Sequence, residues 1–162
     1  MRRVAILALL VFVVFVASVA DARPAKTEFV TGSGTMWAAF GLQTQFDIDV
    51  SQLDPDEPTG TFIAALFSFP SHFFLAFEAT SFDALDVDRR TGRVTGTALV
   101  ADERTGFEGE IEFTAIFEDL ASLKGRNKED DRLTLTLELP TGAETFAGTI
   151  PFGDVEVGTR KR

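Results

Sequence analysis

The sequence contains no cysteine and no tyrosine, and among its 162 residues there is one histidine, His72, and one tryptophan, Trp37. Without cysteine there is no disulfide framework and no lipid-bearing lipobox. A single histidine and no thiol leave no nitrogen–sulfur ligand set for zinc or copper. A hydrolytic triad lacks its usual base: His72 stands in the turn Phe69-Pro70-Ser71-His72-Phe73-Phe74, and no serine has a strand–elbow–helix context. Positive charge is also scarce, with 15 basic residues against 25 acidic ones and a net charge of −10. Such a chain repels phosphate backbones, which removes nucleic acid as a partner. Phosphate and dinucleotide cofactors lack their loop, because no helix follows Gly32-Ser33-Gly34 to hold an anion.

What is present begins with a leader. Met1-Arg2-Arg3 precedes an apolar run from Val4 to Ala17, and Ala20-Asp21-Ala22 supplies the small-x-small pattern of a cleavage site. The run falls short of the roughly 20 apolar residues that span a bilayer. Residues 1–22 therefore read as a bacterial signal peptide cut after Ala22, with no stable membrane anchor left behind. The expected location is secreted or periplasmic. Loss of Arg2, Arg3 and Asp21 takes the net charge from −10 to −11.

The remaining 140 residues suffice for one domain that buries roughly 70% of its unfolded surface without staples. Residues 23–34 read as an N-terminal leader into the fold, 35–158 as the domain, and 159–162, ending Arg160-Lys161-Arg162, as a basic tail. Period-two alternation dominates the domain. It is clearest in Phe46-Asp47-Ile48-Asp49-Val50 and in Leu133-Thr134-Leu135-Thr136-Leu137-Glu138-Leu139. From Gly106 to Asp119, Phe107, Ile111, Phe113, Ala115 and Phe117 share one face and Glu108, Glu110, Glu112, Thr114 and Glu118 the other. Arg93 to Asp102 adds a further strand. Thr61 to Phe69 and Phe73 to Phe82 are more continuously apolar and read as central strands covered on both sides. Thr35 to Phe40, Ala84 to Val87 and Phe146 to Val157 are weaker, the last broken by Pro151 and Gly153. No long amphipathic helix is visible; Leu120 to Lys124 forms at most a turn. Asp88-Arg89-Arg90-Thr91-Gly92 and Asp102-Glu103-Arg104-Thr105-Gly106 echo one another as hairpin turns, with Asp to cap the backbone and Gly to close it. The expected fold is an all-β, antiparallel two-layer sandwich of about eight or nine strands, with a small β-barrel as the alternative.

The order of these strands and their punctuation resembles the post-COAP family of bacterial secreted domains. The matching pieces are Gly32-Ser33-Gly34, Phe46-Asp47-Ile48-Asp49-Val50, Val94-Thr95-Gly96-Thr97-Ala98, Phe113-Thr114-Ala115-Ile116-Phe117-Glu118-Asp119, Asp131-Arg132-Leu133-Thr134-Leu135 and Gly148-Thr149-Ile150. The resemblance implies an all-β secreted module without an assigned activity, and it carries no catalytic residue over.

Three constellations deserve comparison with plain structural roles. Glu108, Glu110 and Glu112 repeat about 7 Å apart along one strand face, a spacing that two-carboxylate glycosidases use. They also alternate with core residues as any solvated strand face does. The acidic residues Asp119, Glu129, Asp130 and Asp131 form a candidate calcium site, because calcium takes six to eight oxygens and is often held by loops. Their spacing matches no defined calcium loop. Finally, 15 of the 17 phenylalanines follow the signal peptide, and Phe62, Phe67, Phe69, Phe73, Phe74, Phe77 and Phe82 crowd together. They would fill a core or line a cavity for an apolar ligand. The leading expectation is a non-enzymatic secreted module with no required cofactor. It would meet an unidentified protein or cell-envelope partner as an adhesion, assembly or accessory domain. A Phe-lined ligand barrel is the alternative, and a carboxylate glycosidase comes third.

Overall fold

The alternation marking Phe46 to Val50 runs along all of strand β2 (Leu42–Leu53), where Thr44, Phe46, Ile48 and Val50 are buried and Gln45, Asp47 and Asp49 are exposed. The same period builds β1 (Lys26–Ala38), β3 (Thr59–Ser68), β4 (Phe73–Asp88), β5 (Thr91–Asp102), β6 (Phe107–Glu118), β7 (Asp131–Leu139) and β8 (Gly142–Lys161). These elements come from a computed structural model that describes residues 26–38, 41–53, 56–68, 73–120 and 130–161. The leader with Ala20 and Ala22, His72 and Glu129 lie outside the described residues.

Each strand pairs antiparallel with its neighbour in sequence, and β1 also pairs with β8, so the sheet closes into an eight-stranded up-and-down barrel. The all-β antiparallel expectation holds, whereas the two-layer sandwich is corrected to the barrel alternative. The physical reason is that a face buried against a second sheet and a face buried inside a closed sheet have the same period. Closure rests on the β1–β8 ladder, which joins Lys26 to Lys161 and Ala38 to Gly148.

That ladder also redraws both ends of the domain. The stretch expected as a leader enters β1 at Lys26. The expected basic tail pairs as strand, with Thr27 opposite Arg160. The Arg160 guanidinium lies 4.2 Å from the centre of the Phe29 ring, which is how Phe29 is covered on the outer wall.

Apparent strand breaks are bulges. Ala84 to Val87 is not a separate strand but the continuation of β4, whose register against β5 shifts between Ala79 and Ser81 and between Phe82 and Ala84. Likewise β8 runs through Pro151 and Gly153, with its register shift against β1 between Thr35 and Trp37. A proline has no N–H for a ladder and is tolerated at such a bulge. Bulges add twist and curvature, which a closing sheet needs. Nor is β3 covered on both sides: Phe62, Ala64 and Leu66 face the core, while Ile63 is half exposed.

Inside, Phe62 packs edge-to-face on Phe77, Phe113 and Phe117 at centroid distances of 4.8, 5.9 and 5.6 Å, and Phe77 meets Phe113 at 5.1 Å. Small residues on facing strands make room for these rings: Ala64, Ala98 and Ala115 are buried among them. Gly92 has a similar role near one end, where a Cβ would run into Val30 Cγ2. Large-against-small alternation is how an eight-stranded barrel fills its interior with side chains.

Candidate functional site

The interior residues form one continuous apolar cluster that includes Val30, Ile48, Phe62, Val94, Phe117 and Leu135. Aromatic rings at 4.8 to 5.9 Å are in mutual contact. Fully buried Thr44 is a polar exception on the lumen side of β2, and its Oγ1 has no hydrogen-bond partner. Of the phenylalanines crowded in the sequence, Phe62, Phe77 and Phe82 join this set of rings, Phe82 through an edge-to-face contact with Phe113 at 6.4 Å, whereas Phe67 is only partly buried and Phe69 lies outside the described residues.

Of the acidic candidates, Asp119, Asp130 and Asp131 fall among the described residues. Asp131 is buried, and its carboxylate accepts hydrogen bonds from the Leu120 N–H at 2.8 Å and the Val155 N–H at 3.0 Å. Asp119 is buried as well, and its N–H donates to the Arg90 carbonyl at 2.9 Å. Asp130 is exposed. Among the described residues no three His, Cys, Asp or Glu side chains are grouped so as to hold a metal ion. Asp131 has a structural use that spacing could not reveal. It satisfies a backbone donor on β8 beyond Ile150, the last residue that β7 pairs.

Glu108, Glu110 and Glu112 are exposed together on the outer wall of β6, as their alternation predicts. Glu110 Oε1 accepts from Thr80 Oγ1 at 2.8 Å and from Thr97 Oγ1 at 3.4 Å. Ser81 and Thr97 share a hydroxyl contact of 2.8 Å beside them. This is a hydroxyl-bound carboxylate on the outer wall at the β4 bulge.

At the β5–β6 end sits a charged group that the sequence shows only as a turn. The buried Asp102 carboxylate accepts from the Arg104 N–H at 2.9 Å and from Arg104 Nη2 at 3.1 Å. Arg104 Nη2 also donates to both Glu144 oxygens, at 2.9 and 2.7 Å. Burial by itself would raise the Asp102 carboxyl. The hydrogen bonds from Arg104 and Thr105, with the guanidinium charge, outweigh it and hold the group below the ordinary aspartate range. Bonds to Asp102 and then Glu144 hold the Arg104 guanidinium above its usual value. Gly106, at φ 70°, donates to the Asp102 carbonyl at 2.8 Å and closes the turn as expected. In its echo the left-handed residue is Arg89, at φ 56°, while Gly92 is buried in β5.

Large apolar side chains also reach the outside. Ile63 on β3 and Leu99 on β5 are 50% and 51% exposed, Trp37 on β1 is 50% exposed and Phe152 on β8 64%. The rings of Trp37 and Phe152 lie 6.1 Å apart at 60°, so they form a tilted pair and not a flat stacking platform. None of these four is distinguished by alternation alone, since either face of an apolar strand can hold the core. Comparison with protein-family models, with curated proteins and with solved structures finds no match.

Proposed function

We propose that the protein is an exported, non-enzymatic β-barrel module that acts as an adhesion, assembly or accessory domain by binding a partner through its outer wall. The observation carrying this reading is the contrast between a lumen occupied by touching phenylalanine rings and an outer wall that presents exposed apolar side chains among carboxylates. A transmembrane barrel has the opposite polarity, with an apolar outer band and a polar interior. The leader, with its small residues at Ala20 and Ala22, supports processing and release to the periplasm or beyond. The resemblance to post-COAP domains points the same way, toward a secreted module without catalysis.

A Phe-lined ligand barrel would require those rings to part, and a glycosidase would have to work from Glu110 and Glu112 on the outer wall. One set of measurements separates the three readings. The processed protein, whose intact mass should begin at Arg23, is melted with and without an apolar fluorescent probe and assayed on a panel of polysaccharides. The module reading expects an unchanged melting temperature and no hydrolysis. A rise in melting temperature with probe concentration would favour the ligand barrel, since a ligand of the native state must stabilise it. Hydrolysis abolished by Glu110→Gln or Glu112→Gln would favour the glycosidase.

A further inference from the structure

Across the outer wall, one cross-strand row reads Asp47, Ile63, Glu78, Leu99, Glu110 on five successive strands, each residue directly opposite the next. All five are exposed. At the usual strand separation of about 4.8 Å, carboxylates recur about 10 Å apart with an aliphatic side chain between them. The adjoining row reads Gln45, Ala65, Ala76, Ala101, Glu108. Its three alanines leave shallow grooves on either side of the Ile63 ridge, of about 320 Å³ toward β2 and about 330 Å³ between Ile63 and Leu99.

The charge along this row is one-sided. Strands β2, β3, β4 and β6 contain no lysine or arginine, and β5 contains only Arg93, six residues from Leu99 on the same face and directly opposite Asp86. Among the described residues, none of Asp47, Glu78, Glu108 and Glu110 is ion-paired. The basic residues Lys26, Arg160 and Lys161 lie on β1 and β8, outside the β2–β6 wall, and Lys26 is ion-paired to Glu28. A row of unpaired carboxylates interleaved with exposed aliphatic side chains is unfavourable for apposing two identical walls, and anionic lipid headgroups would be repelled as well. Its complement is positive charge that carries apolar side chains.

We infer that the β2–β6 wall docks a cationic segment of a polypeptide, whose Lys or Arg side chains meet Asp47, Glu78 and Glu110 while its aliphatic or aromatic side chains enter the grooves beside Ile63 and Leu99. The inference rests on the proposed outer-wall module and assigns that module's binding face. Apolar anchors set among a charged rim are the usual division of labour at an interface, and the carboxylates make the encounter salt-dependent.

The test uses fluorescent synthetic peptides titrated onto the processed protein and read by anisotropy. One peptide has Lys and Leu separated by Gly, a second has Ser in place of Leu, and a third has Glu in place of Lys. The first should bind, and binding should weaken as salt is raised. The second and third should bind at least about tenfold more weakly, as should the first peptide to an Ile63→Ser/Leu99→Ser variant, which is the scale of losing an interface anchor. Glu78→Gln should weaken binding and flatten the salt dependence. These side chains are exposed, so the variants should melt like the parent, and Trp37→Ser/Phe152→Ser should bind normally. Equal binding of the Ser peptide, or undiminished binding by the Ile63→Ser/Leu99→Ser variant, would overturn the inference. A concentration-dependent dimer abolished by that variant would also overturn it, in favour of a second copy on this face. Loss of binding only in Trp37→Ser/Phe152→Ser would move the site to β1 and β8, leaving the outer-wall module in place and this assignment refuted.

Discussion

The buried Asp131 carboxylate accepts a hydrogen bond from the Val155 N–H at 3.0 Å, so a side chain at the start of β7 completes the pairing of β8 where the neighbouring backbone no longer reaches. The second oxygen serves the Leu120 N–H, two residues past the end of β6. Asp131→Ala removes both acceptors and leaves two backbone donors to find new partners. Urea denaturation should show a loss of roughly 2–4 kcal/mol, since a buried donor left unsatisfied costs about 1–3 kcal/mol. An Asp131→Asn variant, retaining one oxygen, should lie between Ala and the parent. If calcium were the partner of this carboxylate, chelator would lower the parent's melting temperature toward that of the variant.

Acid stability should depend on Asp102. Its folded-state carboxyl lies below the unfolded value because the bonds from Arg104 and Thr105 outweigh the burial that opposes them. A depressed carboxyl stabilises the fold fully above its unfolded value, about 3.9, and that contribution fades as pH falls through the lower folded value. Asp102→Asn removes this linked contribution. The stability difference between parent and variant should therefore be larger near neutrality than under strong acid, as measured by urea midpoints across pH.

Truncation should distinguish the lumen from the wall. Phe113 is 3% exposed and touches Phe62, Phe77 and Phe82, so Phe113→Ala should cost roughly 3–5 kcal/mol in chemical denaturation. Leu99→Ala, on the half-exposed outer face of β5, should stay within about 0.5 kcal/mol of the parent. A larger cost at Leu99 than at Phe113 would mean that the faces are reversed.

Gly96 should tolerate nothing larger. It lies opposite Phe82 at the β4 bulge, and a Cβ built there would meet the Ser81 carbonyl oxygen, which is backbone and cannot rotate away. Gly96→Ala should lower stability by about 1–3 kcal/mol through overpacking. The loss should appear in the urea midpoint without a change in strand content by circular dichroism.

Alternation in Phe46 to Val50, Gly106 to Asp119 and Leu133 to Leu139 was enough to establish that the chain is all-β, which residues face the core and where most strands lie. A solvated face repeating every second residue is a local property of one strand, and it survives whatever that strand pairs with. The glutamates of β6 were readable as an exposed face for the same reason. The partition between sheet and barrel was not readable, because it depends on β1 meeting β8 from opposite ends of the chain. No local residue pattern encodes that meeting. Pro151 and the irregularities in β4 look like strand ends in sequence, and only their neighbours turn them into bulges. The same holds for function. Composition excludes thiol chemistry by this chain, but the row Asp47, Ile63, Glu78, Leu99, Glu110 exists only once five strands are set in register. Register is decided by tertiary pairing, because moving one strand by a single residue would turn its whole face inward.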